Sequence, residues 1–196
     1  MSIRYLRPDE HDLIGAIIGE SFTGDPVNDF LLGPQASITA YNTFVARELY
    51  LKHGFGHVAD DHSGGTMWIP PEVPKHIAFV KMVPTACTLI RHGGLRRLIR
   101  ALPADDTIAS HQPKEPHFYL YVIGTTVAAR GTGVGGKLME AGLELADQAN
   151  KPAYLECSKE ENVSFYERYG FEVTGMCNPV EGCPPEWLMW RPAQRS

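Results

Sequence analysis

The sequence predicts one α/β domain spanning residues 1–196, and three observations carry this prediction. Runs rich in β-branched and aromatic residues alternate with segments whose apolar residues recur at helical spacing. After Pro116 the order is regular, with an apolar strand, a glycine-rich turn, an amphipathic helix and a second strand. A chain of 196 residues with 43% hydrophobic and 21% charged residues is typical of a globular domain with a sizeable core.

The elements of the N-terminal half follow from local patterns. An alternating segment that meets Pro8 indicates a first strand, and the turn residues 24–26 end the helix that follows it. Two prolines at 70–71 close a hairpin, and Pro84 interrupts the helical stretch beyond it. The expected elements are a strand at 3–7, helices at 13–22 and about 34–53, a hairpin at 54–71 and a mainly helical stretch at 75–102.

The C-terminal half continues with shorter elements. Gly170 stops a short helix, because glycine readily adopts the left-handed conformation of a helix end. An exposed edge strand near the C-terminus could pair with a second copy, so a homodimer is an expectation. The expected elements are strands at 118–124, 153–157, 171–176 and 187–190, a turn at 127–136, a helix from there to about 150 and a short helix at 163–169.

Charge and composition narrow the function classes. The net charge of -5 argues against nucleic acid or an anionic membrane as the main partner. No apolar run is long enough for a membrane span, and the N-terminus lacks the apolar core of a signal peptide, so a cytoplasmic location is expected. The four cysteines form no Cys-x-x-Cys pair and have no histidines at zinc spacing, so no metal site is expected.

The segment Arg130–Gly136 (RGTGVGG) predicts a phosphate-binding loop at the start of a helix. A pyrophosphate needs several backbone N–H groups directed at one point, and side chains there would block its approach. The N-terminus of a helix adds unpaired N–H donors and a partial positive charge. Four glycines within six residues, between a strand and an amphipathic helix, therefore indicate anion binding; the alternative is a plain tight turn.

The loop matches three motifs literally. Gly131 to Lys137 has the spacing of a Walker A loop, but Leu138 stands where serine or threonine should hold magnesium, which disfavours nucleotide hydrolysis. The same glycines match a dinucleotide fingerprint, with Glu156 about 20 residues beyond, at the position of a ribose-binding acid. That fold would place its glycines directly after a strand near the start of a long α/β run, whereas here they come late in the chain.

The third match, Arg130-x-x-Gly133-x-Gly135, resembles the phosphate-binding signature of the GNAT superfamily of N-acetyltransferases. Asn162 and Tyr166 have the spacing that the superfamily commonly shows around its following short helix. Within the superfamily the chain is most similar to the puromycin N-acetyltransferase type, through segments at 111–120, 155–158, 165–171 and 187–192. The resemblance implies a mixed, mostly antiparallel central sheet of about six to seven strands flanked by helices.

The resemblance also implies a mechanism, the direct transfer of acetyl from acetyl-coenzyme A to an amine. Tyr166 would protonate the leaving thiolate, and Glu156 would act as a base through water. His111 and His117 are alternative bases, and a weakly basic acceptor would need none. The residues implied to bind the cofactor are Thr125, Thr126, Val127, Arg130, Gly131, Gly133, Val134, Gly135, Gly136 and Asn162.

The resemblance also implies which residues contact the acceptor. In the superfamily the region between the first helices lines the acceptor pocket, which implies that Phe22, Asp25 and Phe30 contact the acceptor; His117 is a further candidate. Asp25 could pair with a cationic substrate or could simply be a turn residue before Pro26. The arginines at 91, 96, 97 and 100 indicate a solvated helical face.

Three functional hypotheses follow. The leading one is an N-acetyltransferase that uses acetyl-coenzyme A and acts on the amine of a small molecule. The second is a non-catalytic acyl-coenzyme A sensor with the same fold. The third, from the literal dinucleotide fingerprint, is a nicotinamide-dependent oxidoreductase.

Overall fold

One sheet of seven strands organises the residues that the computed structural model describes, which are 1–73 and 79–194. The strands are β1 (Ile3–Tyr5), β2 (Phe55–Ala59), β3 (Gly64–Ile69), β4 (Phe118–Thr125), β5 (Ala153–Cys157), β6 (Glu172–Cys177) and β7 (Glu186–Arg191). Their order across the sheet is β1-β2-β3-β4-β5-β7-β6. Only β4 and β5 pair in parallel; the five other pairings are antiparallel. The predicted mixed, mostly antiparallel sheet is therefore confirmed.

Helices connect most of these strands. The helices of the described residues are α1 (His11–Ser21), α2 (Pro26–Leu31), α3 (Gln35–Val45), α4 (Leu51–His53), α5 (Val83–Gly93), α6 (Leu95–Ala101), α7 (Ala104–His111), α8 (Val134–Gln148) and α9 (Val163–Glu167). A π-helical turn at Ala46–Tyr50 joins α3 to α4. Short 3-10 turns precede α5, α8 and α9 at Phe79–Met82, Val127–Ala129 and Glu160–Asn162.

The helices cover both faces of the sheet, and β3 shows how the two cores are separated. Successive side chains of a strand point to opposite faces. Met67 therefore packs into a core with residues of α1 and α3, whereas its neighbour Trp68 packs into a second core with residues of α8. Leu155 of β5 and Tyr166 of α9 belong to the second core. We call these the α1 face and the α8 face of the sheet.

Helices α1 and α3 approach each other unusually closely, and two glycines allow it. A Cβ atom on Gly15 would lie 2.0 Å from the hydroxyl of Thr43 and 2.9 Å from its backbone nitrogen. Gly19, one turn later, meets Thr39 in the same way. This close contact fixes the C-terminal end of α1, where Glu20 and Ser21 contact the segment that follows β4.

Most element boundaries agree with the sequence prediction, and the exceptions have local causes. Helix α1 ends before 24–26 as predicted, but the unpredicted helix α2 starts there, because Asp25 caps a helix whose first residue is Pro26. Helix α8 begins at Val134, so Gly135 and Gly136 lie in its first turn rather than in the predicted turn. Of the predicted helical stretch at 75–102, residues 75–78 lie outside the described residues.

Among the helices described here, none combines the length and the apolar character needed to cross a membrane.

Candidate active site

Strands β4 and β5 separate part of the way along their length, and this gap organises the site. They pair only from Phe118 with Ala153 to Leu120 with Leu155. Beyond that point β4 continues to Thr125 and β5 continues to Cys157, but the two strands no longer pair with each other. Two strands that diverge within a sheet leave backbone groups and side chains of both strands facing a shared opening.

A bulge in β4 lies at the point where the gap begins. The register with β3 shifts between Met67 and Trp68, so Tyr121 is the extra residue on β4. Its ring stacks on Tyr50 of the π-helical turn, with 4.3 Å between ring centroids. Such π-helical turns often occur at functional sites, and here the turn fixes an aromatic side chain at the mouth of the gap.

A cavity of about 230 Å³ occupies the gap and continues along the α1 face. It is lined by Leu155 and Tyr166 of the α8 face and by Glu156 and Tyr121 of the α1 face. The cavity therefore reaches both faces of the sheet. A ligand that enters from one face can meet a ligand that enters from the other.

Helices α5, α6 and α7 form the outer wall of this cavity. Apolar side chains such as Leu89, Leu98 and Ile108 line it, and Asp105 of α7 accepts a hydrogen bond from the hydroxyl of Tyr41 at 3.1 Å. Burial raises the pKa of Asp105. Functional signal in the sequence is weak over this stretch because its helices are short and irregular, yet they enclose the cavity.

The glycine loop lies at the end of β4 and opens α8. Gly133 is the N-cap of α8 with φ 87° and ψ 0°, and no side chain caps the helix. That conformation favours glycine. The amide of Lys137 bonds the carbonyl of Gly133, so the amides of residues 134–136 are the donors that a helix start leaves without intrahelical partners. Gly131 also has a positive φ, of 77°.

Aromatic side chains of the α9 region pack beside the loop. A Cβ atom on Gly135 would lie 3.7 Å from the ring of Phe165, and one on Gly136 would lie 2.7 Å from the hydroxyl of Tyr169. The loop and the α9 region therefore form one surface on the α8 face. The backbone donors, the positive end of the helix dipole and the absence of side chains fit a pyrophosphate.

The end of α1 holds the segment just before the loop. The amide of Thr125 donates to the Ser21 hydroxyl at 3.1 Å, and the amide of Val127 donates to a Glu20 carboxylate oxygen at 2.8 Å. The amide of Thr126 donates to the carbonyl of Ser63 at 2.9 Å. Arg130 donates from its guanidinium to the carbonyl of Ser21. The three amides expected to contact the cofactor thus have protein partners in this state.

Tyr166 and Asn162 lie on the α8 side of the gap. Tyr166 lines the cavity and is 9% exposed, and burial raises the pKa of its hydroxyl. The hydroxyl therefore keeps its proton at neutral pH, as a proton donor must. Asn162 also lines the cavity, and its side chain makes no capping bond at the start of α9.

Four carboxylates line the cavity: Asp25, Asp105, Glu156 and Glu186. Glu156 accepts a hydrogen bond from the side-chain amide of Gln112 at 3.1 Å. Asp25 accepts from the backbone and side-chain nitrogens of Asn28, both at 2.9 Å, and from the Ser158 hydroxyl at 2.5 Å. Asp25 thus caps α2 and links it to Ser158, directly after β5. Its carboxylate, a candidate for pairing with a cationic substrate, is therefore already hydrogen-bonded within the protein.

Glu186, the first residue of β7, is a cavity residue that sequence reasoning missed. It is 8% exposed, and burial, followed by the charges of Glu156, Asp25 and Asp105, raises its pKa to about 8. The available signal was a carboxylate placed directly before the apolar strand sequence 187–190. Only the sheet register brings it beside residues that are 30 positions earlier in the chain, since Glu156 pairs with Leu188.

Three of the candidate residues lie elsewhere. Phe30 is absent from the cavity lining, and its ring stacks under the Arg100 guanidinium at 4.6 Å. His117 is buried beside the rings of Tyr154 and Trp190, with its Nδ1 atom 2.6 Å from a backbone carbonyl. His111 is exposed at the end of α7. Phe22 and Asp25 line the cavity, as do Glu156, Asn162 and Tyr166.

Comparison with known proteins agrees with this geometry. A family model described as Acetyltransferase (GNAT) domain matches residues 96–173, the part that includes β4, the glycine loop, α8, β5 and α9. A structure described as histone acetyltransferase HPA2 and related acetyltransferase from Corynebacterium glutamicum is 25% identical, over 100% of this chain and 99% of that one, with a TM-score of 0.72.

More distant structures share the fold. Arylalkylamine N-acetyltransferase 2 from Aedes aegypti is 13% identical over 99% of this chain and 100% of that one, with a TM-score of 0.62. The C-terminal condensation domain of Ebony is 11% identical over 97% of each chain, with a TM-score of 0.65. Residues 96–173 thus match the model of a GNAT acetyltransferase domain, the sheet and its helices are consistent with the GNAT fold, and the comparisons support an acyltransferase.

Proposed function

We propose that this protein is an N-acetyltransferase that transfers acetyl from acetyl-coenzyme A directly to the amine of a small molecule. One observation carries the proposal: a single cavity in the gap between β4 and β5 is lined by Tyr166 from one face of the sheet and by Glu156 from the other. The glycine loop does not line this cavity, but it opens α8 next to Phe165 of α9, the helix that carries Tyr166. A thioester bound on the α8 face would then meet an amine bound on the α1 face, which is the positioning that direct transfer requires.

The residues toward acetyl-coenzyme A have distinct parts. The amides of 134–136, with Gly131 and Gly133, would hold the pyrophosphate, and Asn162 would bond the pantetheine arm. Bound there, the coenzyme supplies an acetyl group activated as a thioester. Tyr166 would donate the proton that the leaving thiolate needs, and Glu156 would accept one from the amine through water.

The amides of Thr125 and Val127 must change partners before they can bind the coenzyme. Each already donates to the end of α1, to Ser21 and Glu20 respectively. If they are to bond the pantetheine arm and the acetyl carbonyl, coenzyme binding must replace these partners. The same observation favours a second candidate function, an acyl-coenzyme A sensor in which this exchange moves α1 and no chemistry follows. A puromycin-type acceptor is the finer form of the proposal and rests on the sequence resemblance alone.

A ligand panel tests the cofactor. Thermal unfolding would be followed with acetyl-coenzyme A, coenzyme A, NAD and ATP at equal concentration. We expect acetyl-coenzyme A and coenzyme A to raise the midpoint by several degrees, and NAD and ATP to raise it little. Stabilisation by NAD alone would overturn the proposal and the sensor alternative together, and would favour the oxidoreductase hypothesis.

A further inference from the structure

Glu186 has a place in the cavity that the proposed function does not use. It begins β7 opposite Cys177, and two residues later Leu188 pairs with Glu156. Residues two apart on a strand point to the same face. Glu186 and Glu156 therefore project from neighbouring strands on the α1 face, and both line the cavity.

The Glu186 carboxyl is short of hydrogen-bond donors. Its Oε2 atom is buried and has no hydrogen-bond partner within the described part of the chain. A buried carboxyl oxygen without a donor is unfavourable, because it has lost its bonds to water and gained none from the protein. A ligand that brings an N–H donor into the cavity would remove this cost.

The surroundings of Glu186 favour a cationic donor. Among the described residues, the groups whose charges act on Glu186, or on which its charge acts, include no cation; they are Asp25, Asp105, Tyr121, Tyr154, Glu156, Cys157, Cys177 and Cys183. The cavity lining also includes two cations, Arg97 and Lys159. The Arg97 side chain is exposed and donates to the carbonyl of Gly93.

The remaining lining limits the body of the ligand. Leu31, Leu89, Leu98 and Ile108 also line the cavity and present apolar surface to it. A volume of about 230 Å³ is small for a binding cavity, since drug-sized pockets measure about 300–1,000 Å³. A compact, apolar ligand with one ammonium group would pack against this apolar lining and donate a hydrogen bond to the Oε2 atom of Glu186.

Building on the proposed function, we propose that Glu186 binds the ammonium group of the acceptor and removes its proton, and that the acceptor is a compact, apolar primary amine. An N–H bond of the ammonium breaks, its electron pair stays on nitrogen, and the proton forms an O–H bond with Glu186. The neutral amine then attacks the acetyl carbon, and the bond from carbon to sulfur breaks.

The remaining protons balance through Tyr166. The leaving thiolate takes the hydroxyl proton of Tyr166, and the second proton lost by the nitrogen passes through water and Glu156 to replace it. After the amide leaves, Glu186 returns its proton to solvent. A carboxyl with a pKa of about 8 is a far stronger base in its ionised form than an ordinary glutamate, which suits proton removal from an ammonium.

Initial rates with two probe amines test this role. 2-Phenylethylamine is protonated at neutral pH, whereas aniline is neutral, so only the first needs a proton acceptor before attack. We expect Glu186→Gln to lower kcat/KM for 2-phenylethylamine about 100-fold and to change the rate with aniline less than about 3-fold. Glu172→Gln, on the exposed edge strand β6, is the control and should match the wild type.

The pH profile gives a second readout. For the wild type, kcat/KM for 2-phenylethylamine should rise with pH through an apparent pKa near 8, because the base must be ionised. In Glu186→Gln the rise should move to the pKa of the amine itself. Binding of acetyl-coenzyme A, followed by thermal shift, should be the same in both proteins and shows that the variant is folded.

Other outcomes overturn the inference in distinguishable ways. Equal loss with both amines, or an unchanged profile, would remove Glu186 from proton transfer. If neither amine is acetylated by a protein that binds acetyl-coenzyme A, the acceptor class is wrong, while acetylation of any other amine in a wider library leaves the proposed function standing. Failure to bind acetyl-coenzyme A would overturn the proposed function itself.

Discussion

At the scale of single residues, the site combines groups from the two faces of the sheet. Tyr166 reaches the cavity from the α8 face, and Glu156 and Glu186 reach it from the α1 face. Burial raises the pKa of both Tyr166 and Glu186, because it favours the protonated form of each. The assignments can be separated because each residue has a different expected effect.

Replacing Tyr166 by phenylalanine should remove turnover and leave coenzyme binding intact. The ring still fills its place in the core, so only the hydroxyl proton is lost. General acid catalysis contributes about 100- to 10,000-fold, so kcat should fall by at least about 100-fold while the Kd for acetyl-coenzyme A changes less than about 3-fold. Thiol release and calorimetric titration measure the two quantities.

Tyr5→Phe is the matched control for that variant, because Tyr5 is 56% exposed on β1 and lies outside the cavity lining. It should keep full activity. Unchanged kcat in Tyr166→Phe would remove Tyr166 from the mechanism.

Glu20 gives a separate prediction about the backbone amide of Val127. Its carboxylate accepts the amide hydrogen at 2.8 Å, and a charged acceptor makes the stronger bond. Glu20→Gln should weaken that bond and release the amide for the coenzyme. We expect acetyl-coenzyme A to bind about 3- to 10-fold more tightly than to the wild type, measured by calorimetric titration. Weaker binding would mean that Glu20 holds the loop in its binding-competent form.

Sequence reasoning located some of these residues and missed others for a physical reason. Tyr166 and the glycine loop lie in short stretches whose spacing carries the chemistry, so they could be predicted locally. Glu186 and Asp105 join the site only through the sheet register and the packing of α7, which spacing does not reveal. The resemblance implies that Phe30 contacts the acceptor, but its ring lies against Arg100 and outside the cavity lining.

At the scale of elements, the site depends on three features: the gap between β4 and β5, the start of α8 and the end of α1. The order of strands and helices could be predicted from alternation and helical spacing. The gap could not, because apolar residues continue along β4 past the point where pairing with β5 stops. The helical wall of α5 to α7 also depends on tertiary packing rather than on strong local pattern.

Gly133→Ala tests the start of α8. A left-handed backbone costs a non-glycine residue about 1–2 kcal/mol, and the φ of Gly133 is 87°. The variant should lose about 1 kcal/mol of unfolding free energy and at least about 10-fold in acetyl-coenzyme A affinity, because the strained loop no longer directs its amides at the pyrophosphate.

Gly24→Ala is the control for strain. Gly24 also has a positive φ, of 76°, and open space where a Cβ atom would lie, but it is outside the loop. It should lose comparable stability and keep its acetyl-coenzyme A affinity. Equal affinity loss in both variants would show that strain alone, and not the loop geometry, is responsible.

At the scale of the whole molecule, two carboxyl groups set opposite limits on the pH range of stability. A hydrogen bond from Arg4 lowers the pKa of Glu10 to about 2, from an ordinary 4.5. The stability from this pair is present above pH 4.5 and is lost as the pH falls toward 2. Glu186 has a folded-state pKa raised to about 8, so its contribution is present below pH 4.5 and is lost as the pH rises to 8.

Glu186→Gln should therefore flatten the alkaline side of the stability profile. The variant cannot ionise at this position, so its free energy of unfolding should fall less than that of the wild type between pH 5 and pH 9. Urea unfolding at both pH values measures the difference. A wild-type profile as flat as that of the variant would mean that Glu186 ionises in the folded protein as it does in the unfolded chain.

The central claim is that acetyl-coenzyme A and an amine meet in one cavity and react there. The most direct measurement is thiol release from acetyl-coenzyme A in the presence of a library of primary amines, with mass spectrometry of the product. We predict that at least one compact apolar amine gives stoichiometric thiol and acetylated amine, and that Tyr166→Phe abolishes both. Tight binding of acetyl-coenzyme A without thiol release for any amine would contradict the claim and would favour the sensor.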